Sequence, residues 1–322
     1  MKYIKDYLKR VFCIENKIPT TAQVEITNLC NLDCLMCPRK KLNVKYKEVS
    51  LEYFKEIVTK LKGIKNIILT GWGEPLFHKN LPEMVDFCTK RGIFTSLTSN
   101  GLLLTPSLSK RLIDSGLCEI TFSIDSLDED NEFGHINKGC KENIERLSKM
   151  PNCPKIRIQS VLTGSIKNLK EIADFAKKVG AKRMNLSRIY LGFAPEMTRP
   201  TKKEEKRMIM TLQNHCKSIG LSLEMIQYFE GQGIIRALYK TLKRTLGIFG
   251  KRCLRVYDYI YINSEGIATP CCLLPNYKVG DLNKEDLKST YSSKAFDFFR
   301  KNHNKKVLTC KSCDLWKIRY NK

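Results

Sequence analysis

Apolar, β-branched segments alternate with amphipathic ones through the first part of the chain. The segments 22–27, 66–70, 93–98, 117–124, 155–163 and 182–188 each have strand character, and Asn66-Ile-Ile-Leu-Thr70 and Ile156-Arg-Ile-Gln-Ser-Val161 read as strands by periodicity alone. The intervening stretches have helical spacing and recognisable ends. Ser50 can cap a helix running to Lys62, Thr105-Pro106 opens a later one, and Gly92, Gly116 and Gly180 stand where helices stop before strands. Strand and helix in regular alternation predict an α/β fold with a parallel sheet. Six such units predict an incomplete barrel, open on one side and able to admit a large substrate.

The alternation stops near Gly192. From there to Gly250 the chain reads as helical, with Met208, Met210, Leu212 and Cys216 spaced like a buried face. Between Gly231 and Tyr257 lie Arg236, Lys240, Lys243, Arg244, Lys251, Arg252 and Arg255 and no acidic residue. This basic stretch is expected to pack its apolar side on the barrel, with peripheral membrane contact as a second expectation. After Cys253, the alternating run Tyr257–Asn263, the turn Ser264-Glu265-Gly266 and the run Ile267–Cys272 form a β-hairpin. A helix through Ala295–Arg300 and the pair Cys310-Lys-Ser-Cys313 follow. The expected domains are an N-terminal basic helix over 1–19, a barrel core over 20–191, a helical basic connector over 192–252 and a small cysteine-rich hairpin-plus-helix domain over 253–322.

Composition narrows the setting. A chain of 322 residues with 42% apolar content can fill one large core and a small one. The opening Met1–Arg10 is charged throughout and no later apolar run approaches a bilayer span, so a cytoplasmic location is expected. Fourteen cysteines without a secretion signal point to metal or redox use rather than to a disulfide framework. The net charge of +24 points to an anionic partner or substrate, or else to a Lys-rich compositional background with no partner behind it.

The chemistry concentrates in Cys30-Asn-Leu-Asp-Cys34-Leu-Met-Cys37, on the turn beyond the first strand. Three thiolates at this spacing can hold three corners of an iron-sulfur cube and leave the fourth iron open to a ligand, as catalytic metal sites do. Gly71-Trp-Gly-Glu-Pro75 follows the second strand, where glycines admit close backbone approach and a carboxylate can meet an ammonium group. With these two motifs the chain resembles the radical S-adenosylmethionine (radical SAM) superfamily, over residues 20–190. The resemblance implies a partial (β/α)6 TIM-like barrel, a 4Fe-4S cluster on Cys30, Cys34 and Cys37, and S-adenosylmethionine cleaved reductively to a 5′-deoxyadenosyl radical that abstracts hydrogen. It implies cofactor contacts from Gly73 and Glu74, with Gly71 supporting, from Ser123 and Asp125 after the fourth strand, and from Asn100 after the third. Asn168 and Arg188 are candidates for the adenine region and the cofactor carboxylate, and Met36 stands where relatives place an aromatic residue against adenine.

Cys253, Cys271 (or Cys272), Cys310 and Cys313 suggest a second metal site, since four thiolates can close a cube. Their arrangement resembles the auxiliary-cluster region of SPASM and twitch radical SAM enzymes. Full SPASM domains use seven cysteines, and this tail has five, so one auxiliary 4Fe-4S cluster is expected, acting in electron transfer; a zinc ribbon is the structural alternative. Cys13, Cys88, Cys118, Cys140, Cys153 and Cys216 are read as packing residues. The expected activity is therefore oxidation, dehydrogenation or rearrangement of an anionic small molecule, sugar-lipid, nucleotide or peptide, with an electron donor such as flavodoxin or ferredoxin. The first strand begins near Ala22, which leaves no room for an N-terminal leader-peptide-binding domain and lowers the peptide-maturase reading. A different class of answer is a non-catalytic iron-sulfur or zinc protein that binds nucleic acid.

Overall fold

The computed structural model describes residues 18–41, 46–128, 139–226 and 253–313. The expected N-terminal helix and nearly all of the basic stretch before Cys253 lie outside the described residues. Ten strands form one sheet: β1 (Thr21–Val24), β2 (Asn66–Ile68), β3 (Phe94–Ser99), β4 (Glu119–Ser123), β5 (Lys155–Leu162), β6 (Arg183–Arg188), β7 (Ser222–Met225), β8 (Tyr259–Ile262), β9 (Ile267–Thr269) and β10 (Gly280–Asp281). Their order is β10-β9-β8-β1-β2-β3-β4-β5-β6-β7. Among these strands all pairings from β8 to β7 are parallel, while β8-β9 and β9-β10 are antiparallel. The six expected strands are β1 to β6.

The helices that cross between strands are α1 (Leu51–Lys60), α2 (Leu81–Thr89), α3 (Pro106–Asp114), α4 (Cys140–Ser148), α5 (Leu169–Lys178) and α6 (Lys202–Ser218). Ser50 and Thr105 cap α1 and α3, each hydroxyl accepting a backbone N–H at 3.2 Å. Gly92, Gly116 and Gly180 all take positive φ where the chain leaves a helix for the next strand.

Side chains alternate across the sheet and give it two chemically different faces. Ala22, Val24, Ile67, Leu97, Ile120, Phe122, Ile158, Met184 and Leu186 are buried in the apolar core. On the other face Gln23, Ser96, Thr121, Gln159 and Asn185 lie along a polar interior. There Arg157 pairs with Glu119 at 2.7 Å, and Glu224 on β7 pairs with Arg183 at 2.9 Å. A barrel interior lined by polar groups is suited to a polar ligand.

Two sequence expectations need correction. The stretch after Gly192 read as wholly helical, but α6 is followed by a seventh parallel strand, β7, paired with β6. The buried face of α6 is Glu205, Ile209, Leu212 and Cys216, at helical spacing, whereas Met210 is 46% exposed. No helix among the described residues is long and apolar enough to cross a membrane.

The C-terminal hairpin does not stand apart. β8 adds to the sheet beside β1, with Tyr259 opposite Thr21 and Ile262 opposite Val24. Asp258 anchors this junction by accepting from Thr20 N at 3.0 Å and Thr20 Oγ1 at 2.6 Å. Three helices complete the region: α7 (Leu287–Tyr291), α8 (Lys294–Lys306) and α9 (Leu308–Ser312).

Candidate active site

The loop after β1 turns its residues alternately outward and inward. Asn31, Asp33 and Leu35 are exposed, while Cys30, Cys34 and Cys37 are half-buried beneath them. A turn closed by Cys37 N donating to Cys34 O at 3.0 Å brings these two cysteines together. Leu32 N points at Cys30 Sγ at 3.5 Å, and Arg39 holds the loop by donating to Leu32 O at 2.7 Å. Burial raises the Cys30 thiol above its ordinary pKa. Met36 packs half-buried against the core.

The Gly71–Pro75 segment is wedged against this loop. A Cβ on Gly73 would stand 2.4 Å from Leu29 O and 2.5 Å from Thr27 O, so only glycine fits where the two backbones meet. Glu74 N donates to Leu29 O at 2.8 Å across that contact. Gly71 packs on the Glu25 side chain, which a Cβ would meet at 2.2 Å. Glu25 in turn accepts from Trp72 N at 2.9 Å and from Ser264 N at 3.3 Å. One buried carboxylate thus ties β1, the Gly71–Pro75 segment and the turn of the β8-β9 hairpin together, and burial raises its pKa.

Glu74 is buried, and three donors converge on it. Oε1 accepts from Ser99 Oγ at 2.7 Å and Leu76 N at 3.0 Å, and Oε2 accepts from Asn100 N at 2.8 Å. A carboxylate has about four acceptor positions, so one remains for an incoming donor such as an ammonium. Burial pushes its pKa up to about 7 against those hydrogen bonds. In the cofactor-free protein the folded state therefore keeps a proton that the unfolded chain has already lost between its ordinary value of 4.5 and about 7. Stability is full below the lower value and falls as pH rises through the upper one. Glu74→Gln is expected to flatten this slope in urea denaturation followed across that window; an unchanged slope would place the titrating group elsewhere.

Asn100 links the third strand to the cysteine loop, its Nδ2 donating to Asn31 Oδ1 at 2.9 Å. Ser123 is half-buried at the end of β4, and Asp125 Oδ1 accepts from Val161 N at 2.5 Å, joining the β4 and β5 ends. Asn168 occupies the N-cap position of α5 without a cap hydrogen bond from its side chain. Arg188 forms a two-pronged pair with Glu205 of α6, Nε to Oε2 at 2.8 Å and Nη2 to Oε1 at 2.6 Å. The structure thus brings the cysteine loop, Gly73, Glu74 and Asn100 into direct contact and sets Ser123 and Asp125 at neighbouring strand ends. Sequence reasoning missed Glu25, Ser99 and Asn31, the partners that hold these groups. It also missed Trp72, whose ring meets Phe193 at 6.2 Å and whose buried Nε1 has no hydrogen-bond partner among the described residues.

The second cysteine set gathers at the other end of β8. Cys271 and Cys272 form a half-buried pair in which the Cys271 thiol donates to Cys272, so Cys272 is pulled down and Cys271 pushed up. Burial raises Cys253 and pushes Cys310 up to about 12, the latter helped by neighbouring Cys313 and Cys253. Burial alone would lower Arg255, but Tyr259, Cys272, Cys271 and Cys253 around it outweigh that and raise its pKa. Arg255 is a residue the sequence reading placed only in a basic stretch. His303 Nε2 accepts from Cys253 N at 3.2 Å.

Among the described residues no three His, Cys, Asp or Glu side chains converge on a single metal-ion position. Thiolates of a cluster bind separate irons at the corners of a cube. By donor chemistry both sets fit such a group: three thiols on one loop against the Gly73 contact, and, in the second set, Cys253, Cys271 and Cys272 beside Arg255 with Cys310 and Cys313 next to Cys253.

A radical SAM superfamily model matches residues 24–193. The chain belongs to the radical SAM superfamily. A second model, the SPASM iron-sulfur cluster-binding domain, matches residues 253–314. The tungsten-containing aldehyde ferredoxin oxidoreductase cofactor-modifying protein of Pyrococcus furiosus is 26% identical over 309 residues, 91% of this chain and 86% of that protein. The PqqA peptide cyclase of Bradyrhizobium diazoefficiens is 24% identical over 322 residues, 94% of this chain and 80% of that protein. Among solved structures, Streptococcus suis SuiB bound to precursor peptide SuiA superposes with a TM-score of 0.70 at 18% identity, covering 98% of this chain and 75% of that one; this likeness shows the fold. The protein is thus a radical SAM enzyme whose cofactors are a 4Fe-4S cluster and S-adenosylmethionine, with auxiliary iron-sulfur binding of the SPASM type.

Proposed function

We propose that this radical SAM enzyme oxidises a peptide substrate, with hydrogen abstraction at the Cys30–Cys37 end of the barrel and electron release toward the Cys253–Cys313 end. The observation that carries this reading is the placement of the two cysteine sets. The first follows the carboxyl end of β1, while Cys253, Cys271 and Cys272 gather with Arg255 near Tyr259, which lies opposite Thr21 at the amino end of β1. The stretch from Thr21 to Thr27 spans roughly 20 Å at the usual strand rise. That is too far for both sets to bind the same group, and the polar interior lies between them.

When bound, the cluster and S-adenosylmethionine supply one-electron reductive cleavage of a carbon-sulfur bond and a 5′-deoxyadenosyl radical. The chain's own part is to bind, orient and exclude water. Glu74 would offer its remaining acceptor position to the cofactor ammonium, Gly71 and Gly73 would let the backbone approach, and Met36 would serve the adenine. Asn100, Ser123 and Asp125 contact the ribose and methionine parts, and Asn168 serves the adenine region. Arg188, engaged by Glu205, positions the loop after β6. An iron-sulfur centre held by Cys253, Cys271 or Cys272, Cys310 and Cys313 would take up one electron from the substrate after hydrogen abstraction, and a proton would leave to solvent, for a net loss of two hydrogen atoms. The electron for cleavage comes from an external donor of the flavodoxin or ferredoxin class, across the exposed side of the Cys30–Cys37 loop.

The peptide class is supported by a relative matched over most of the chain, the PqqA peptide cyclase. A nucleotide substrate is the second reading, supported by a probable GTP 3′,8-cyclase of Archaeoglobus fulgidus, 26% identical over 272 residues. The test is anaerobic incubation of reconstituted enzyme with a random-sequence peptide library or with nucleoside triphosphates, followed by mass spectrometry. Peptides lighter by two hydrogens, formed together with 5′-deoxyadenosine, are expected. Turnover only with the triphosphates would overturn the peptide reading.

A further inference from the structure

Two side chains of the first strand and its extension bridge the C-terminal region to the segment that carries Glu74. Gln23 and Glu25 are two residues apart, so both point to the polar interior, and both are buried. Gln23 uses both ends of its amide: Oε1 accepts from the Tyr259 hydroxyl at 2.5 Å, and Nε2 donates to Thr70 O at 2.7 Å. Glu25 uses both oxygens: Oε2 accepts from Ser264 N at 3.3 Å and Oε1 from Trp72 N at 2.9 Å. Tyr259 and Ser264 lie within the SPASM match. Thr70 and Trp72 stand immediately before and after Gly71, which itself rests on the Glu25 side chain. Two rungs therefore run side by side from the C-terminal region, across β1, to the two neighbours of Gly71. At its far end the first rung reaches the second cysteine set, where Tyr259 lies beside Cys272.

We propose that Gln23 and Glu25 are positioning residues for the cofactor: they hold Gly71–Glu74 in register on the C-terminal region, so that loss of iron-sulfur binding there weakens S-adenosylmethionine binding. This rests on the placement of the cofactor ammonium on Glu74 above. Stability alone does not call for such an arrangement, because apolar side chains of the same shape would serve nearly as well as a buried polar pair. A fully matched polar pair instead fixes register, since any displacement leaves a buried partner unpaired. What these rungs register is the backbone on either side of Gly71, three residues before the carboxylate that meets the cofactor. A shift of about 1 Å at such a group is enough to matter. The coupling is mechanical, requires no electron to pass between the two ends, and is reciprocal by linkage.

The test is anaerobic equilibrium dialysis of radiolabelled S-adenosylmethionine against the full-length reconstituted enzyme, without reductant so that nothing turns over, with iron counted in parallel. Tyr259→Phe removes one hydroxyl and keeps the ring on which Arg255 stacks at 4.3 Å, so it reads the first rung even where Glu25→Gln does not fold. Each of these two variants is expected to weaken binding by about tenfold. Cys310→Ala/Cys313→Ala is expected to weaken it to a similar degree in the parent protein and to add little in Tyr259→Phe, because the rung is then already broken. Thr20→Val is the structural control. It removes the neighbouring tie to Asp258, 2.6 Å long, which does not lead to Gly71, and should lower urea stability without changing binding. An equal loss of binding in Thr20→Val would mean general loosening and would overturn the rungs, as would losses in Tyr259→Phe and the cysteine variant that simply add. Glu74→Gln separates the two readings. Weakened binding there beside normal binding in Tyr259→Phe and Glu25→Gln overturns the rungs and leaves the cofactor placement standing, whereas normal binding in Glu74→Gln overturns the placement and the rungs with it.

Discussion

Gly73→Ala is expected to cost both stability and cluster retention. The added Cβ would meet three backbone atoms, Leu29 O, Thr27 O and Asn28 C, all within 2.8 Å. None of these is the free end of a flexible side chain, so the cysteine loop itself must move. The move would also stretch the bond from Glu74 N to Leu29 O, which registers the carboxylate against the loop. Overpacking of this kind costs roughly 1–3 kcal/mol. Displacement of a catalytic constellation by about 1 Å can cost about 10²-fold in rate. The measurement is iron content and 5′-deoxyadenosine formation beside urea denaturation. Gly180→Ala is the control, since nothing lies within 4 Å of its Cβ although φ is +74°. It should lose about 1 kcal/mol of stability and no iron. Equal iron loss in both variants would show that general destabilisation, rather than the contact at Gly73, was responsible.

The strands β1 to β6 were legible because each buries an apolar row against helices, which imposes a clear periodicity on the sequence. β7 was not: Ser222-Leu-Glu-Met225 is short, half-polar and only partly covered, so hydrophobicity does not mark it. The hairpin of β8 and β9 could be read from its turn, but not its pairing with β1, because a strand's partner is a long-range property. In the same way the cysteine loop and Glu74 announced themselves by spacing and position. Glu25, Ser99 and Asn31 did not, since their roles depend on which distant backbone they face. Arg188 could be read as a candidate for the cofactor carboxylate from its place at a strand end, but Glu205, which pairs with its guanidinium, could not. Met210 misled because a helical stripe of apolar residues does not say which of its members the neighbouring elements cover.

The second large effect concerns the cysteines themselves. Replacing Cys30, Cys34 and Cys37 by alanine removes all three thiols of the loop while leaving the Gly73 contact and the Glu25 ties in place. The fold should therefore persist, and the cysteines of the C-terminal region should keep their own metal. Catalysis should not persist, because S-adenosylmethionine cleavage needs an open iron, and this loop is the proposed holder of it. The most direct measurement is anaerobic reconstitution of wild type and Cys30→Ala/Cys34→Ala/Cys37→Ala, with iron counted and 5′-deoxyadenosine quantified under strong reductant. The account predicts about eight irons and steady cleavage in wild type, and about four irons with none in the variant. A fully loaded wild type that forms no 5′-deoxyadenosine, or a variant that still forms it, would contradict the account.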